Sequence, residues 1–410
     1  MSDGGAVADR VVVVGGGIGG VSTVAALRAG GYTGDLTLVD AGEFPYDRPP
    51  LSKDYLAGTR DVGQLALQPA GWFDDQSVRL LTSTSVRRLL PDEARVELSD
   101  GTELPADRVV LATGGHAARP PIPGADGDLV HTLRTTEDAD RLRKALVPGA
   151  RLLVVGAGLI GAEVASTAVD LGCDVVLVDP VAPPLAAAVG AEVAAWLHDQ
   201  HAGRGIETLR VGVASLLQQG STVVAEFAGD HAPRSFDVVV LGVGMTPETS
   251  LAAGAGLEVD RGVVVDPGQV TGNPAVLAVG DSTRLRRDGV LLPRTEHWEA
   301  AQQDGKRAAA TLLGIAPPAP TAPWFWSDRH HRHVEAVGHL GAAPETVLRG
   351  SMEDPSFAVF GLHDGRVTAA VSVDDPLAVR AARRMIDRGV AVDRGDLADT
   401  AVELRRLLRG

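Results

Sequence analysis

Two stretches of this chain run through the same succession of apolar and polar positions. The first, VVVVGGGIGGVSTVAALRAG at 11–30, opens on four consecutive valines. A run of that kind predicts a strand buried on both faces, as in a parallel sheet. Gly15, Gly17 and Gly20 follow, and then apolar positions at helical spacing: Val21, Val24, Ala25 and Leu27. The next apolar run, DLTLVD, ends at Asp40. The second stretch, RLLVVGAGLIGAEVASTAVDLGCDVVLVD at 151–179, repeats the order with Gly156, Gly158 and Gly161, a helix, and a strand ending at Asp179. Two further buried strands are predicted in RVVLATGG (108–115) and AVLAVGDST (275–283), and an irregular stretch fills 41–75. The Pro-rich GIAPPAPTAP, 314–323, reads as a linker. Beyond it, FAVFGLHDGRVTAAVSV predicts a hairpin around His363–Arg366, and PLAVRAARRMIDRG and LADTAVELRRLL predict helices.

Each glycine of these loops has a task. The first permits a tight turn, the second lets backbone approach a pyrophosphate, and the third lets helix pack on strand. The helix N-terminus then offers N–H groups and partial positive charge to phosphates. Asp40 lies 20 residues beyond Gly20 and Asp179 lies 18 beyond Gly161, where a carboxylate hydrogen-bonds an adenosine ribose. Two complete fingerprints imply two dinucleotides, and the economical pair is a flavin and a nicotinamide dinucleotide. Asp179 would accept from a ribose 2′-OH and repel a 2′-phosphate. PVAPPLAAA after it holds no Arg or Lys, so NADH is favoured over NADPH.

Composition narrows the class. At 410 residues two or three domains are expected. With 45% hydrophobic and 22% charged residues, the chain reads as soluble and globular. No apolar run reaches spanning length, and MSDGGAVADR lacks the pattern of a secretory signal. The net charge of -15 argues against a general nucleic-acid binder. The single cysteine, Cys173, allows no intramolecular disulfide and no Cys-x-x-Cys pair. It suits a reducing cytoplasm and reads as a buried structural thiol.

Longer segments carry a resemblance over nearly the whole chain: RPPLSK (48–53), LATGG (111–115), PIPG (121–124), VVGAGLIGAEVA (154–165), GVGMTPETSLAAGAGL (242–257), AVGDST (278–283), EHWEAAQQDGKRAA (296–309) and FWSD (325–328). Together they resemble the FAD-dependent NAD(P)H:ferredoxin reductases of the putidaredoxin, rubredoxin and biphenyl-dioxygenase type, which serve bacterial oxygenases and cytochromes P450. The resemblance implies an α/β fold: two Rossmann-like dinucleotide-binding domains, glutathione-reductase-like, with a small α+β C-terminal domain. The expected division is an FAD domain over 1–113 and 240–316, an NAD domain over 114–239, and the C-terminal domain over 317–410.

It also implies site residues. Lys53, one of only three lysines against 35 arginines, is expected beside the flavin ring, paired with Glu163; a compact ammonium suits a place where hydride arrives. FAD is expected on Gly15, Gly17, Gly20, Asp40, Arg48, Thr113, Gly114, Arg119 and the ribityl contact Asp281. Glu296, His297, Trp298 and Trp326 are expected at its ring. NADH is expected on Gly156, Gly158, Ile160, Gly161, Glu163, Asp179 and Gly244. The implied activity is hydride transfer from NADH to flavin, then single electrons to a small iron–sulfur ferredoxin of the [2Fe-2S] kind. The sequence departs from the family at GHAARP (115–120), at Glu248, and at RHHRHVEAVGHL (329–340). His330, His331 and His333 there are read as part of a basic, partly exposed rim with Arg329 and Arg332 rather than as metal ligands. That rim, with Arg284, Arg286, Arg287 and Arg294, is the expected docking patch for an acidic ferredoxin. Two alternatives stay open: an NADH-dependent quinone or radical reductase, and a slow NADH-sensing flavoprotein on the same scaffold. A disulfide reductase needs a thiol near the flavin, and Ser52 and Lys53 stand where one would help.

Overall fold

The computed structural model describes residues 8–181 and 183–408, so most of the MSDGGAVADR stretch, and Ala182 within PVAPPLAAA, lie outside the described residues. The chain divides into two compact units. One takes in the chain up to Arg48, Val62–His116 and Met245–Pro320; the other holds Pro49–Asp61, Ala117–Gly244 and the chain from Thr321 onward.

The first unit is built on five parallel strands in the order Val276–Ala278, Arg108–Leu111, Arg10–Val14, Asp35–Val39, Val78–Leu81. The four valines are buried because apolar layers cover both faces. Val11 and Val13 pack with the Ile18–Ala29 helix, and Val12 and Val14 with the small antiparallel sheet Val86–Leu90, Arg95–Leu98, Glu103–Pro105. The Trp298–Leu313 helix crosses Ile18–Ala29 at close range. A Cβ on Gly305 would stand 2.5 Å from the Gly19 carbonyl oxygen, so this approach needs glycine. The 41–75 stretch is irregular, with 3₁₀ turns at Pro49–Ser52 and Val62–Leu65 and one helical turn at Trp72–Asp75.

In the second unit the parallel order is Glu207–Leu209, Asp174–Val178, Arg151–Val155, Val238–Leu241, Val130–His131. The Leu159–Asp170 helix follows the central strand. A five-stranded antiparallel sheet follows from Trp324, in the order Trp324–Arg329, Arg332–Val337, Arg366–Val373, Phe357–His363, Glu345–Arg349. The Pro376–Arg388 helix covers one face. On the other face Val193, Ala194 and Leu197 of the Ala191–Gly203 helix share a core with Phe325, Val334 and Phe357, which joins the C-terminal sheet to the nucleotide-type fold within one unit.

The turn joining Phe357–His363 to Arg366–Val373 falls at Asp364-Gly365, both at positive φ (50° and 68°), the conformation tight hairpins prefer. The expected helix over LADTAVELRRLL is broken into Arg394–Ala398 and Leu404–Leu407. Arg349 explains the break. Its guanidinium donates to the carbonyls of Leu397, Asp399, Thr400 and Val402 at 2.6–3.3 Å, taking acceptors that a continuous helix would use itself.

Candidate functional site: two glycine loops and a buried Lys–Glu pair

In the first loop Gly15 takes φ 112°, and a Cβ there would lie 2.2 Å from the Ala112 carbonyl oxygen. A Cβ on Gly20 would lie 1.9 Å from the Gly15 oxygen. Gly17 caps the Ile18–Ala29 helix, with the Arg48 guanidinium so near that a Cβ would meet it at 2.8 Å. Asp40 ends its strand against Gly16. The loop is therefore a backbone cradle flanked by one cation and one carboxylate, which fits the pyrophosphate and ribose of a dinucleotide.

Other predicted FAD residues surround the same unit. The Thr113 hydroxyl donates to the Glu248 carbonyl at 2.8 Å, and the Glu248 N–H donates to the Gly114 carbonyl at 2.9 Å. Asp281 sits in the one-turn helix Gly280–Ser282. Glu296 pairs with Arg294, His297 caps the Trp298–Leu313 helix, and the Trp298 indole N–H donates to Asp47 Oδ1 at 2.7 Å. Asp304, a residue the sequence reading missed, lies under Gly280 and accepts its N–H at 3.3 Å. Burial pushes its carboxyl up to about 6, against the pull of Arg307 and the Gly280 N–H. Its signal was a lone acid on the otherwise small-residue face of that helix.

In the second loop, a Cβ on Gly161 would fall 1.9 Å from the Gly156 oxygen, whereas one on Gly158 would meet nothing within 4 Å. Gly158 thus leaves open space at the helix N-terminus, where a pyrophosphate fits. Both Asp179 oxygens accept backbone N–H groups at 2.8 Å, from Ala157 of the loop and from Val181. That carboxylate holds the loop in shape and places negative charge at the strand end. Ile160 is exposed at the start of the helix, and Gly244 takes φ 102°. Arg119 lies in this unit and donates to the Ala125 carbonyl.

Lys53 and Glu163 meet within the second unit. The Lys53 ammonium is 3.3 Å from Glu163 Oε1 and 2.8 Å from Asp328 Oδ2, and it lies over the Trp326 ring at 5.5 Å. Glu163 is only 4% exposed. Its other contacts are the hydroxyls of Ser52 at 2.5 Å and Ser327 at 2.7 Å, both donating. Burial pushes its carboxyl up, and Lys53 and the two hydroxyls pull it back without cancelling the effect. Burial also opposes ionisation of Asp328, yet hydrogen bonds from Lys53 and His333 outweigh it and hold that carboxyl low. Ser52, Ser327 and Asp328 were within quoted motifs but carried no assigned role. The residues they share, Glu163 for the two serines and Lys53 for Asp328, lie more than a hundred positions away, beyond the reach of local spacing.

The expected basic rim needs correction at Arg329 and His330, which are buried; Arg287 is exposed, and the other arginines are engaged by acids. Arg284 is bound to Asp260 at 2.8 Å, Arg286 to both oxygens of Glu258, Arg294 to Glu296, and Arg332 to Asp374 at 2.9 Å. Arg329 is buried, its guanidinium lowered by burial to about 10, with Glu163 as the charge that offsets this. His330 and His331 form the two-residue turn of the hairpin, at φ 55° and 59°. His330 Nε2 meets His201 Nδ1 at 2.9 Å, and burial first, then the Arg329 charge, brings His330 down to about 4. Among the described residues no three His, Cys, Asp or Glu are grouped to hold a metal. Cys173 is buried, and burial raises its thiol. No helix among the described residues is long and apolar enough to cross a membrane.

Comparison with known proteins places this geometry. Residues 9–305 match the family model of pyridine nucleotide-disulphide oxidoreductases, and 324–408 match a reductase C-terminal model. The chain is 38% identical over 409 residues to the ferredoxin–NAD(+) reductase component of the anthranilate 1,2-dioxygenase system of Burkholderia cepacia, covering 98% of this chain and 100% of that one. It is 36% identical to putidaredoxin reductase of Pseudomonas putida, over 98% and 97% of the two chains. The reductase in a crystal structure of the covalent putidaredoxin reductase–putidaredoxin complex superposes with a TM-score of 0.90 at 33% identity, covering 98% of each chain. With both glycine cradles intact and the likeness running end to end, the chain belongs to the pyridine nucleotide-disulphide oxidoreductases, and among them to the FAD-dependent ferredoxin–NAD(+) reductases.

Proposed function

We propose that this protein is an NADH:ferredoxin oxidoreductase that carries FAD and passes electrons singly to a small iron–sulfur ferredoxin serving an oxygenase or cytochrome P450. The observation that supports this most is the Lys53–Glu163–Asp328 cluster in a chain whose sole cysteine is buried elsewhere: the charge centre of an electron-transfer flavoprotein is present, and the thiol pair of a disulfide reductase is not. FAD, when bound, accepts hydride and returns electrons one at a time. The chain's own residues bind and orient. The first loop, with Arg48, Asp40, Thr113, Gly114 and Asp281, is assigned to FAD, together with Glu296, His297 and Trp298. Arg119, Lys53 and Trp326 are assigned to it as well. The loop Gly156–Gly161 with Ile160, Glu163, Asp179 and Gly244 is assigned to NADH. On this reading 1–113 and 240–316 make the FAD domain, 114–239 the NAD domain and 317–410 the C-terminal domain.

The partner's docking face is the outer stripe of the Pro376–Arg388 helix. Leu377 is 68% exposed, and Arg380, Arg384 and Arg388 follow it on the exposed side, spaced three, four and four residues apart on one face. This stripe suits an acidic ferredoxin on a body whose net charge is -15. The protein is assigned to a reducing cytoplasm, because its only thiol is unpaired and inert. Anaerobic stopped-flow reduction tests the whole reading. Fast bleaching of the flavin band by NADH and slow bleaching by NADPH are expected, and Lys53→Ala should slow the NADH reaction while FAD stays bound. Equal, slow bleaching by both nucleotides would overturn the reading in favour of an NADH sensor.

A further inference from the structure

The Lys53 cluster continues past Asp328. In the hairpin Trp324–Val337 the two-residue turn at His330-His331 sets a register in which Asp328 faces His333 and Trp326 faces Glu335. His333 bridges two carboxylates: Nδ1 is 2.5 Å from Asp328 Oδ1 and Nε2 is 2.9 Å from Glu335 Oε1. An imidazole with an acceptor at both nitrogens satisfies both only when it carries two protons. Its side chain is 38% exposed and that of Asp328 44%, whereas that of Glu335 is 9% exposed, so His333 and Asp328 meet water while the series ends in buried acids. The continuous series is therefore Glu163, Lys53, Asp328, His333, Glu335, with three acids and one fixed cation around one titratable ring.

Among the described residues, Asp328 and Glu335 are the charged groups bonded to the ring. The adjoining strand Arg366–Val373 sets Ser372 opposite Glu335, and Asp374 just beyond it is occupied by the His333 backbone N–H and by Arg332. The Pro376–Arg388 helix buries Ala378, Val379, Ala382 and Met385 against the sheet. Desolvation opposes the charged form of His333, but the bonds to Asp328 and Glu335 outweigh it and raise its proton affinity above the ordinary value.

We propose that His333 is a proton-linked positioning residue for Lys53: by holding or releasing its proton it sets how much of the Asp328 charge the Lys53 ammonium feels. This rests on the assignment of Lys53 to the flavin. Asp328 is shared between an ammonium at 2.8 Å and an imidazole at 2.5 Å. With His333 protonated, the carboxylate is divided between two cations and Lys53 is free to answer negative charge arriving from NADH. With His333 neutral, Asp328 holds Lys53 alone. By reciprocity, adding electrons beside Lys53 tightens the grip on the His333 proton, so reduction draws a proton from solvent onto the ring.

The test uses the FAD-loaded full chain, reduced stepwise with dithionite in weakly buffered solution containing a pH indicator. Wild-type protein should take up more protons per two electrons than His333→Gln in the window just above the His333 titration point, and the two should converge at lower pH, where the ring is protonated in both redox states. A second readout is the ¹⁵N signal of His333 in the oxidised protein. It should titrate above about 6.5, and Asp328→Asn should weaken its proton affinity at least tenfold. Equal proton uptake by wild type and His333→Gln at every pH, or a His333 signal unmoved by Asp328→Asn, would overturn the proposal. Dithionite bypasses NADH, so a protein that fails to react with NADH yet shows the difference in uptake would sink the assigned enzyme function and leave this linkage standing.

Discussion

Removing the Lys53 ammonium is the sharpest probe of the second unit. In Lys53→Met the buried Glu163 loses a cation 3.3 Å away but keeps the hydroxyls of Ser52 and Ser327. Breaking a buried ion pair costs about 3–5 kcal/mol. Two retained hydrogen bonds to the carboxylate, and its freedom to take up a proton, bring the expected loss down to about 2–3 kcal/mol. For a unit of this size that lowers the melting temperature by roughly 4–12 °C. The pH dependence has a definite sign. Burial already raises the Glu163 carboxyl, and losing Lys53 raises it further. A folded state that binds the proton more tightly than the unfolded chain loses stability as pH rises from the unfolded value toward the folded one. The deficit of Lys53→Met should therefore be smaller near pH 5.5 than near pH 8. Lys53→Met/Glu163→Gln, which removes both charges, should recover most of it. Thermal melts of the three proteins at saturating FAD provide the measurement. A Lys53→Met protein as stable as wild type at both pH values, or a deficit that shrinks as pH rises, would refute the reasoning.

Further outcomes follow from the same geometry. Asp304, raised to about 6, destabilises the fold as pH climbs from its unfolded value through 6. Asp304→Asn should therefore raise stability by about 1–2 kcal/mol near pH 8 and change it little near pH 4, as read by urea titration. Asp179→Asn should weaken NADH binding roughly 10- to 100-fold through loss of charged hydrogen bonding, with a smaller effect on NADPH in equilibrium titrations. Arg349→Ala frees four carbonyls and should expose the 394–408 segment to limited proteolysis, at a cost of about 1–3 kcal/mol. Arg380→Glu/Arg384→Glu should lower turnover with an acidic ferredoxin well beyond any loss with ferricyanide and flatten its salt dependence.

What could be read from the sequence was what short spacing encodes. The glycine loops, their strands and the acids ending those strands lie within thirty residues of one another, so periodicity and glycine placement suffice. The helix Pro376–Arg388 and the turn at Asp364-Gly365 belong to the same kind of information. The arginine rim did not, because its neutralising acids, Glu258 and Asp260, sit across a fold from Arg286 and Arg284. Nor did the broken C-terminal helix, since the residue that breaks it, Arg349, is some fifty positions upstream. The charge centre divides the same way: Lys53–Glu163 came from a family resemblance, whereas Asp328, Ser327 and His333 became visible only once the hairpin register was known.

The chain passes from one unit to the other five times, after residues 48, 61, 116, 244 and 320. Neither unit is therefore a continuous piece of sequence, and this governs how the protein can be made. On the ribosome the first unit is incomplete until the chain nears 320, and the second until the residues after 321 have emerged. A messenger cut short before that point yields a Lys53 without Asp328, and a Glu163 without the Ser327 hydroxyl. The nucleotide folds cannot be exchanged as cassettes by a single crossover, so recombination within such a gene preserves function only at breakpoints that respect all five passages.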